Sequence, residues 1–507
     1  MKRYFLNYVG GLLLCMGCVG FQACSDWLDV TPEAQVNDKK MFSTPQGYKD
    51  VLNGIYVNAA KEELYAKNLL FGFVDVLAQY YDVSDEGHEL HDAGAYRYHS
   101  TKVVPIVETI WKELYFCIAN CNILLERLEQ VSPDFFGDER TYYIIRGEAK
   151  ALRAFFHFDL LRLYAPAYRV NPEYMAIPYV TRYTNEITPQ SSVCEVLESV
   201  TGDLKSALKD LENYDPVLDP LYVNSGMTGQ DGSDIYMWTQ PMPDNDYFLS
   251  YRGFRLNYYA VNGLLARVYS YMNKPREAYE YARVVLDAEI LKFANSYYVD
   301  PWDPAYRDRL FRSEILFAFY APKMNEKYFP YSLRSSMAQR WLTLKNTDHL
   351  FANTPLDYRR KCLLDETTLP GRPSCTKYLD PKDSRVEDFY GMIAPMIRMS
   401  ELYYIVCEYL ATEDLDQAKT EFGKLRSKRN AKNELNIVTA DDLRREILND
   451  ARREFIGEGQ MFYFYKRCNR AVLEESGTIT MTEKDFVLPL PDVELEFGER
   501  LSVLYAD

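Results

Sequence analysis

Histidine is scarce in this chain, with five residues in 507. Acid–base chemistry near neutral pH therefore has few candidates of the commonest type. The sequence carries no G-x-S-x-G elbow, no phosphate-cradling Walker loop and no glycine-rich dinucleotide fingerprint. Basic residues are in deficit as well: 58 Lys and Arg face 74 Asp and Glu, a net charge of −16. Phosphate backbones need a basic face, so nucleic acid is excluded as a partner. The same deficit opposes a polyanion spread over the whole surface, but it leaves room for a local basic cleft. With 74 acidic residues, paired carboxylates occur throughout and say nothing about glycoside hydrolysis. Beyond residue 24, no apolar run matches the length of the first.

That first run is informative. Lys2 and Arg3 precede an apolar stretch from Phe5 to Phe21. Phe21-Gln22-Ala23-Cys24 then reads as a lipobox, with small Ala23 before the cysteine as signal cleavage requires. Phe21 stands where the usual lipobox has Leu. Cys18 after Gly17 is the weaker cleavage site. A transmembrane helix is the competing reading, but the run is barely long enough to span a bilayer. Ser25, Asp26 and Asp29 follow at once, with no basic stop-transfer flank. The expectation is a signal peptide over 1–23, a lipid on Cys24, and a polypeptide tethered to a bacterial membrane.

Ten cysteines occur, and Cys15, Cys18 and Cys24 belong to the leader. The remaining seven include no C-x-x-C. Cys117 and Cys121 lie one helical turn apart, which suits burial. Cys362 with Cys375 is the most plausible disulfide, since exported proteins form them. Tyrosine is abundant at 43 residues, more than Phe and Trp together. Its flat face and single hydroxyl serve cores and wet recognition surfaces alike.

Apolar periodicity predicts helices from Gly47, over Leu69 to Tyr81, Val107 to Val131, Tyr142 to Tyr164 and Ser191 to Leu211. Further helices are predicted over Phe254 to Met272, Pro275 to Ala288, Met399 to Leu410, Leu415 to Ser427 and Asp441 to Arg467. The Tyr142–Tyr164 segment is apolar nearly all round, which marks a buried helix. Its charges, Glu148, Arg153, Asp159 and Arg162, then need partners, and Asp159 with Arg162 can pair along the helix. Residues 82–101 and 213–250 read as loops. Residues 293–390 read as irregular, with a strand-like piece at Ile315 to Phe319. Ala266, Tyr269, Ala278, Ala282 and Val285 have the same offsets as Val406, Tyr409, Ala418, Phe422 and Leu425. Those offsets match the small and aromatic positions of a tetratricopeptide repeat. The fold class expected is all-α: tetratricopeptide-like helical hairpins with long loop-rich insertions and few short strands.

Several motifs carry a family resemblance. Cys24-Ser25-Asp26-Trp27-Leu28-Asp29-Val30-Thr31-Pro32 resembles a post-lipidation leader, and Gly54-Ile55-Tyr56 and Trp111 through Asn122 resemble the helices that follow it. Arg146 through Leu160 contains G-E-A-x-x-L-R-A with F-D-L. Arg398-Met399-Ser400-Glu401-Leu402-Tyr403-Tyr404 and Arg452-Arg453-Glu454-Phe455, followed by Glu458-Gly459, Phe462 and Lys466-Arg467, complete the series. In this order, and over essentially the whole chain, they resemble the SusD/RagB-like nutrient-binding lipoproteins of Bacteroidota. The resemblance implies a surface lipoprotein of the outer membrane that caps a SusC-like TonB-dependent transporter. It implies a ligand that is usually an oligosaccharide or polysaccharide, with peptides used by some members. It implies a helical region over 24–215 and a second over 216–507, packed as one globular unit. The motifs lie on helices and are expected to maintain the scaffold, so they leave the ligand unnamed.

A glycan needs aromatic faces for its C–H groups and polar side chains for its hydroxyls. Loop residues supply the candidates: Tyr81, Tyr96, Trp238, Tyr297, Tyr298 and Trp302 as aromatics, with Asp82 and Asp303 as hydroxyl acceptors. Trp302 leads, because Tyr-Tyr-Val-Asp-Pro-Trp-Asp-Pro combines aromatics, carboxylates and turn-forming prolines. Tyr98, Tyr306, Trp341, Asp85, Asn245 and Asp300 are secondary. His88-Glu89-Leu90-His91 lacks zincin spacing, and an EF-hand-like start at Asp82 has Ala93 at its twelfth position. No metal, no cofactor and no catalytic residue is expected. The reading is a binding protein that captures a nutrient glycan. Oligopeptide capture is the alternative, and a surface glycoside hydrolase or a purely structural assembly protein would be the remaining classes.

Overall fold

The computed structural model describes residues 40–219, 248–249, 252–294, 296–302, 307–369, 371–379, 392–469, 472–474, 477–479 and 483–500. Cys24 and the leader lie outside the described residues. The chain divides into two compact units, residues 1–50 and 51–507. In the first, Phe42 and Tyr48 meet edge to face at 4.9 Å. Helix α1 (Pro45–Ala59) runs from there into the second.

In the second unit, helices stack in chain order. Helix α2 (Val104–Leu128) packs on α3 (Glu139–Tyr164), and α3 on α4 (Val193–Leu211). Helix α4 meets α5 (Tyr258–Tyr271), which pairs with α6 (Pro275–Asp287). Helix α6 meets α7 (Met399–Glu413), which pairs with α8 (Leu415–Lys428). Helix α9 (Ala440–Glu454) packs on α7, and α10 (Met461–Cys468) follows. Each helix touching its neighbour in sequence is the signature of stacked helical hairpins. The repeat positions explain the close approach: Ala266, Ala278, Ala282, Val285, Val406, Ala418, Phe422 and Leu425 are all at most 2% exposed. Caps set where helices begin. Ser192 and Glu195 form a reciprocal capping box ahead of α4, and Asn257 accepts the Ala260 N–H at 2.8 Å ahead of α5.

Strands are few and short among the described residues. β1 (Met175–Ile177) pairs antiparallel with β2 (Ser191–Ser192), and β3 (Ile315–Tyr320) with a strand late in the chain. β4 (Leu364–Asp365) pairs with β5 (Ser374–Cys375), and β6 (Ile393–Arg398) is the partner of β3. The strand expected at Ile315–Phe319 is therefore present. It carries Phe317 and Phe319 into the core, where Tyr65 stacks on Phe319 at 4.7 Å and Phe155 meets Phe317 at 5.3 Å.

Helix α3 is buried along most of its length, and its buried charges are paired. Arg252 reaches Glu148 at 2.6 Å and Asp215 at 2.6 Å, while Arg255 and the Tyr56 hydroxyl hold the other Glu148 oxygen. Arg153 forks onto Asp203 at 2.7 and 2.8 Å and also donates to Asn122 Oδ1. Arg162 pairs with Asp159 three residues back, as expected. His157 accepts the Val180 N–H at Nε2, so Nδ1 carries the proton and donates to the Arg153 carbonyl.

Three expectations need correction. The helix predicted over Asp441–Arg467 is two helices. Gly457 and Gly459 take φ of 77° and 68° between them, in the left-handed region. Their N–H groups donate to Asp75 at 2.9 and 3.0 Å, and a Cβ on Gly459 would stand 2.3 Å from the Leu69 carbonyl oxygen. The helix predicted over Leu69–Tyr81 shrinks to Phe73–Leu77, because Gln79 at φ 60° ends it and preceding turns already satisfy the backbone. Cys362 and Cys375 are free. Strand register sets Leu364 opposite Cys375, while Cys362 packs in an apolar cluster with Ala294, Val299 and Phe311.

Glu454 accepts from Arg359, Arg398 and Arg429 at 2.7 to 2.9 Å, with every partner at most 1% exposed. Glu454→Gln leaves three guanidinium groups short of one buried charge. The expected cost is about 3–5 kcal/mol in urea unfolding; an unchanged midpoint would contradict the central role of this carboxylate. A second expectation concerns His157. Burial lowers its pKa from 6.5 to about 3. The unfolded chain binds a proton in that interval that the folded chain refuses, so this contribution is complete above 6.5 and falls as pH drops. His157→Gln should flatten the decline in stability below pH 6.5 relative to wild type, measured by unfolding at a series of pH values.

Candidate functional site

The structure separates the sequence-selected residues. Trp302 is 99% exposed, on an extended turn just after a short helix, Ser296–Val299. Tyr297 and Tyr298 sit on that helix. Trp238, Asp303, Tyr306 and Asn245 lie outside the described residues. Asp300 accepts from Lys361 at 2.5 Å and faces Arg307 at 3.7 Å.

The loop candidates near residue 90 are mostly occupied by the fold. Tyr81 is 1% exposed, with its hydroxyl 3.4 Å from Asp75, so it belongs to the core and leaves the platform. Tyr98 is buried and donates to the Asp485 carbonyl. Tyr96 is half-buried and donates to the Leu77 carbonyl at 2.8 Å. Asp82 pairs with Arg372 and accepts from Ser84. Asp85 accepts the Gly87 N–H at 2.8 Å. Trp341 donates its indole N–H to the Ser335 carbonyl. The segment predicted as a solvated loop holds a short helix, His91–Gly94. His88 contacts the Leu90 N–H and the Trp341 carbonyl, and His91 the Val83 carbonyl. Among the described residues no group of His, Cys, Asp or Glu forms a metal-binding cluster.

What the structure brings together instead is a groove of about 770 Å³ beside the Trp302 segment in sequence. Four stretches build it. The end of α6 supplies Val285 and Leu286, and the chain then turns through Glu289 at φ 51°. Lys292, Phe293 and Ser296 follow along the wall. Tyr358 enters at the start of the short helix Tyr358–Leu363, held by its N–H on the Arg429 carbonyl at 3.0 Å. Met399 and Tyr403 come from the first turns of α7, and Lys428, Asn430 and Lys432 from the end of α8 and the turn beyond.

The geometry is that of an aromatic wall with polar heads. Phe293 and Tyr403 lie 5.2 Å apart, and the Lys428 ammonium sits 5.9 Å from the Phe293 ring centre. Burial pushes the Tyr403 hydroxyl up to about 12, with the Glu421 charge adding to it, so it stays protonated and can donate. Asn430, at φ 56°, is fixed by its side-chain amide on the Leu356 carbonyl at 2.9 Å. A second cavity of about 460 Å³, lined by Tyr56, Phe254, Phe319 and Tyr320, is more apolar. Its polar groups Tyr56 and Arg255 are already held by Glu148. The larger groove suits a hydroxylated ligand better, since it offers ring faces and donors side by side.

Sequence reasoning missed Phe293, Tyr358 and the three lysines. They come from separated stretches and share no local motif. Tyr403 stands in the R-x-S-E-x-Y-Y segment, which reads as scaffold, and only packing shows its ring at a surface.

A family model described as SusD-like, starch-binding associating with outer membrane, matches residues 26–217. Over those residues the chain is similar to the SusD-like family. A SusD-like protein of Formosa agariphila is 28% identical over 216 residues, which cover 42% of this chain and 39% of that protein. The chain thus aligns with about two fifths of the curated relative's length. A SusD superfamily protein from Bacteroides thetaiotaomicron superposes with a TM-score of 0.69 at 21% identity, covering 90% of this chain and 98% of that one. A putative sugar binding protein from Bacteroides vulgatus superposes at 0.63 with 20% identity, covering 88% and 90%. At such identities these likenesses establish the fold: the SusD-type arrangement of tetratricopeptide-like helices. No helix among the described residues is long and apolar enough to cross a membrane.

Burial separates two of the aromatics in a measurable way. Tyr81→Ala should cost about 3–5 kcal/mol of stability, as for other buried aromatic truncations. Trp302→Ala should change it by no more than about 0.5 kcal/mol. Equal losses in denaturant titrations of the two variants would contradict this assignment of roles.

Proposed function

We propose that this SusD-like protein is a cell-surface lipoprotein that captures a nutrient glycan and delivers it to a SusC-like TonB-dependent transporter of the outer membrane. The observation that carries the reading is Trp302. An indole that is 99% exposed gains nothing for folding, and a sugar ring covering it would recover that apolar area. The groove, with Phe293, Tyr358 and Tyr403 beside hydroxyl, amide and ammonium donors, supplies a second surface of matching chemistry. The family's description as starch-binding and outer-membrane associated supports the same assignment.

In this reading Cys24 carries the lipid and the chain faces the cell exterior. Regions 24–215 and 216–507 act as one unit. The role is binding and transfer without bond cleavage: the sequence offers few histidines, and the groove contains one carboxylate, Glu289, where hydrolysis of a glycosidic bond uses a pair.

The test is native-gel retardation of the full-length protein, purified in detergent, against a panel of soluble polysaccharides, with a peptide mixture titrated by calorimetry. Retardation by one glycan class that weakens about tenfold in Trp302→Ala is the expected result, as for loss of one stacking aromatic. Silence on every glycan, with heat from the peptides, would replace the glycan by an oligopeptide. Release of shorter products from a bound glycan would make the protein an enzyme.

A further inference from the structure

The charge lining the groove is out of character with the chain. The molecule carries a net charge of −16. Among the described residues that line the groove, three are lysines, Lys292, Lys428 and Lys432, against one carboxylate, Glu289. Lys428 lies in the last turn of α8, where a cation complements the helix end. Lys432 stands in the loop beyond, so that explanation does not reach it, and its place beside Lys428 on one wall needs another.

Donors and acceptors are unbalanced in the same direction. Lysine ammonium groups only donate, whereas the tyrosine hydroxyls can donate or accept. A neutral sugar presents hydroxyls and is commonly held by carboxylates and amides that accept from them. Here Glu289 and Asn430 are the side chains that can do so strongly, and the Asn430 amide nitrogen is already committed to the Leu356 carbonyl. A ligand that matches this wall brings acceptors of its own, and charged ones gain most from ammonium partners. The aromatic faces of Phe293, Tyr358 and Tyr403 still call for a ring with C–H faces.

We propose that the groove between α6, α7 and the turn after α8 selects an anionic glycan, one bearing uronate carboxylates or sulfate esters, through Lys428 and Lys432. This rests on the glycan-capture reading and narrows it. The acidic remainder of the molecule repels an anionic ligand from other faces, and the local basic field concentrates it at this one.

The test uses the full-length protein in detergent and three polymers. Polygalacturonate carries carboxylates, κ-carrageenan carries sulfate esters, and amylopectin is neutral. The variant is Lys428→Gln with Lys432→Gln, both exposed side chains, and thermal unfolding checks that it folds. Retardation by polygalacturonate or κ-carrageenan is expected, weakened about tenfold in the double variant and by raised salt, with amylopectin inert. Which acidic polymer responds distinguishes carboxylate from sulfate. Retardation by amylopectin that is equal in wild type and variant would overturn anion selection while leaving glycan capture standing. Acidic-polymer binding indifferent to the variant would place the anion elsewhere and overturn the proposal. No retardation by either acidic polymer would overturn anion selection, while glycan capture falls only with silence across the full polysaccharide panel.

Discussion

Glu454 sits at the end of α9 with three guanidinium groups around one carboxylate, and the rest of the second unit is arranged to keep them there. Arg359 comes from the short helix at 358–363, Arg398 from the end of β6 and Arg429 from the turn after α8. Each has a further anionic partner: Arg359 binds Asp357 and Asp450, Arg429 binds Glu314, and Arg398 binds Glu458. Lys377 completes the ring on Glu458 at 2.5 Å. Charges so deeply buried are tolerable only when every one is matched and hydrogen-bonded. The guanidinium attractions hold the Glu454 carboxyl well below the usual range in spite of its burial. Six separate stretches of chain are thereby fixed to one another at their least solvated points.

The groove is a consequence of that lock. Tyr358 precedes Arg359, Met399 follows Arg398, and Asn430 follows Arg429. The network holds three arginines inside, and their immediate neighbours emerge at the groove wall. The wall is therefore rigid where it matters and needs little ordering when a ligand arrives. Trp302 differs: its segment is anchored by Asp300 on Lys361 and Arg307, next to the same short helix that carries Arg359. Scaffold and groove thus share elements, although different residues build each.

Most helices were legible in the sequence because their determinants are local. Periodic apolar residues, Asn257 as a cap, Pro275 at a first turn and the small residues of the repeat each act within a few positions. The failures have one origin. Nothing local says that Gly457 and Gly459 will donate to Asp75, almost four hundred residues earlier, and so break a periodic helix in two. The same distance hid Tyr81, whose loop-edge position in sequence reads as exposed but whose ring is enclosed by elements from elsewhere. The candidate site was legible only at Trp302. Phe293, Tyr403 and Lys432 carry no shared spacing, since a groove between hairpins has no sequence period.

What the sequence determined by itself was the family resemblance, the stacked-hairpin class and the aromatic, turn-rich segment that holds Trp302. Those follow from ordered motifs and from short-range periodicity, which burial of one helix face imposes directly on residue choice. The tertiary structure alone decided which charges meet and which aromatics are swallowed by the core. It alone gathered three lysines on one wall of an acidic protein. Pairing energies between buried ions and the exposure of a ring depend on separations in space, and the chain brings those groups together across intervals of 50 to more than 100 residues.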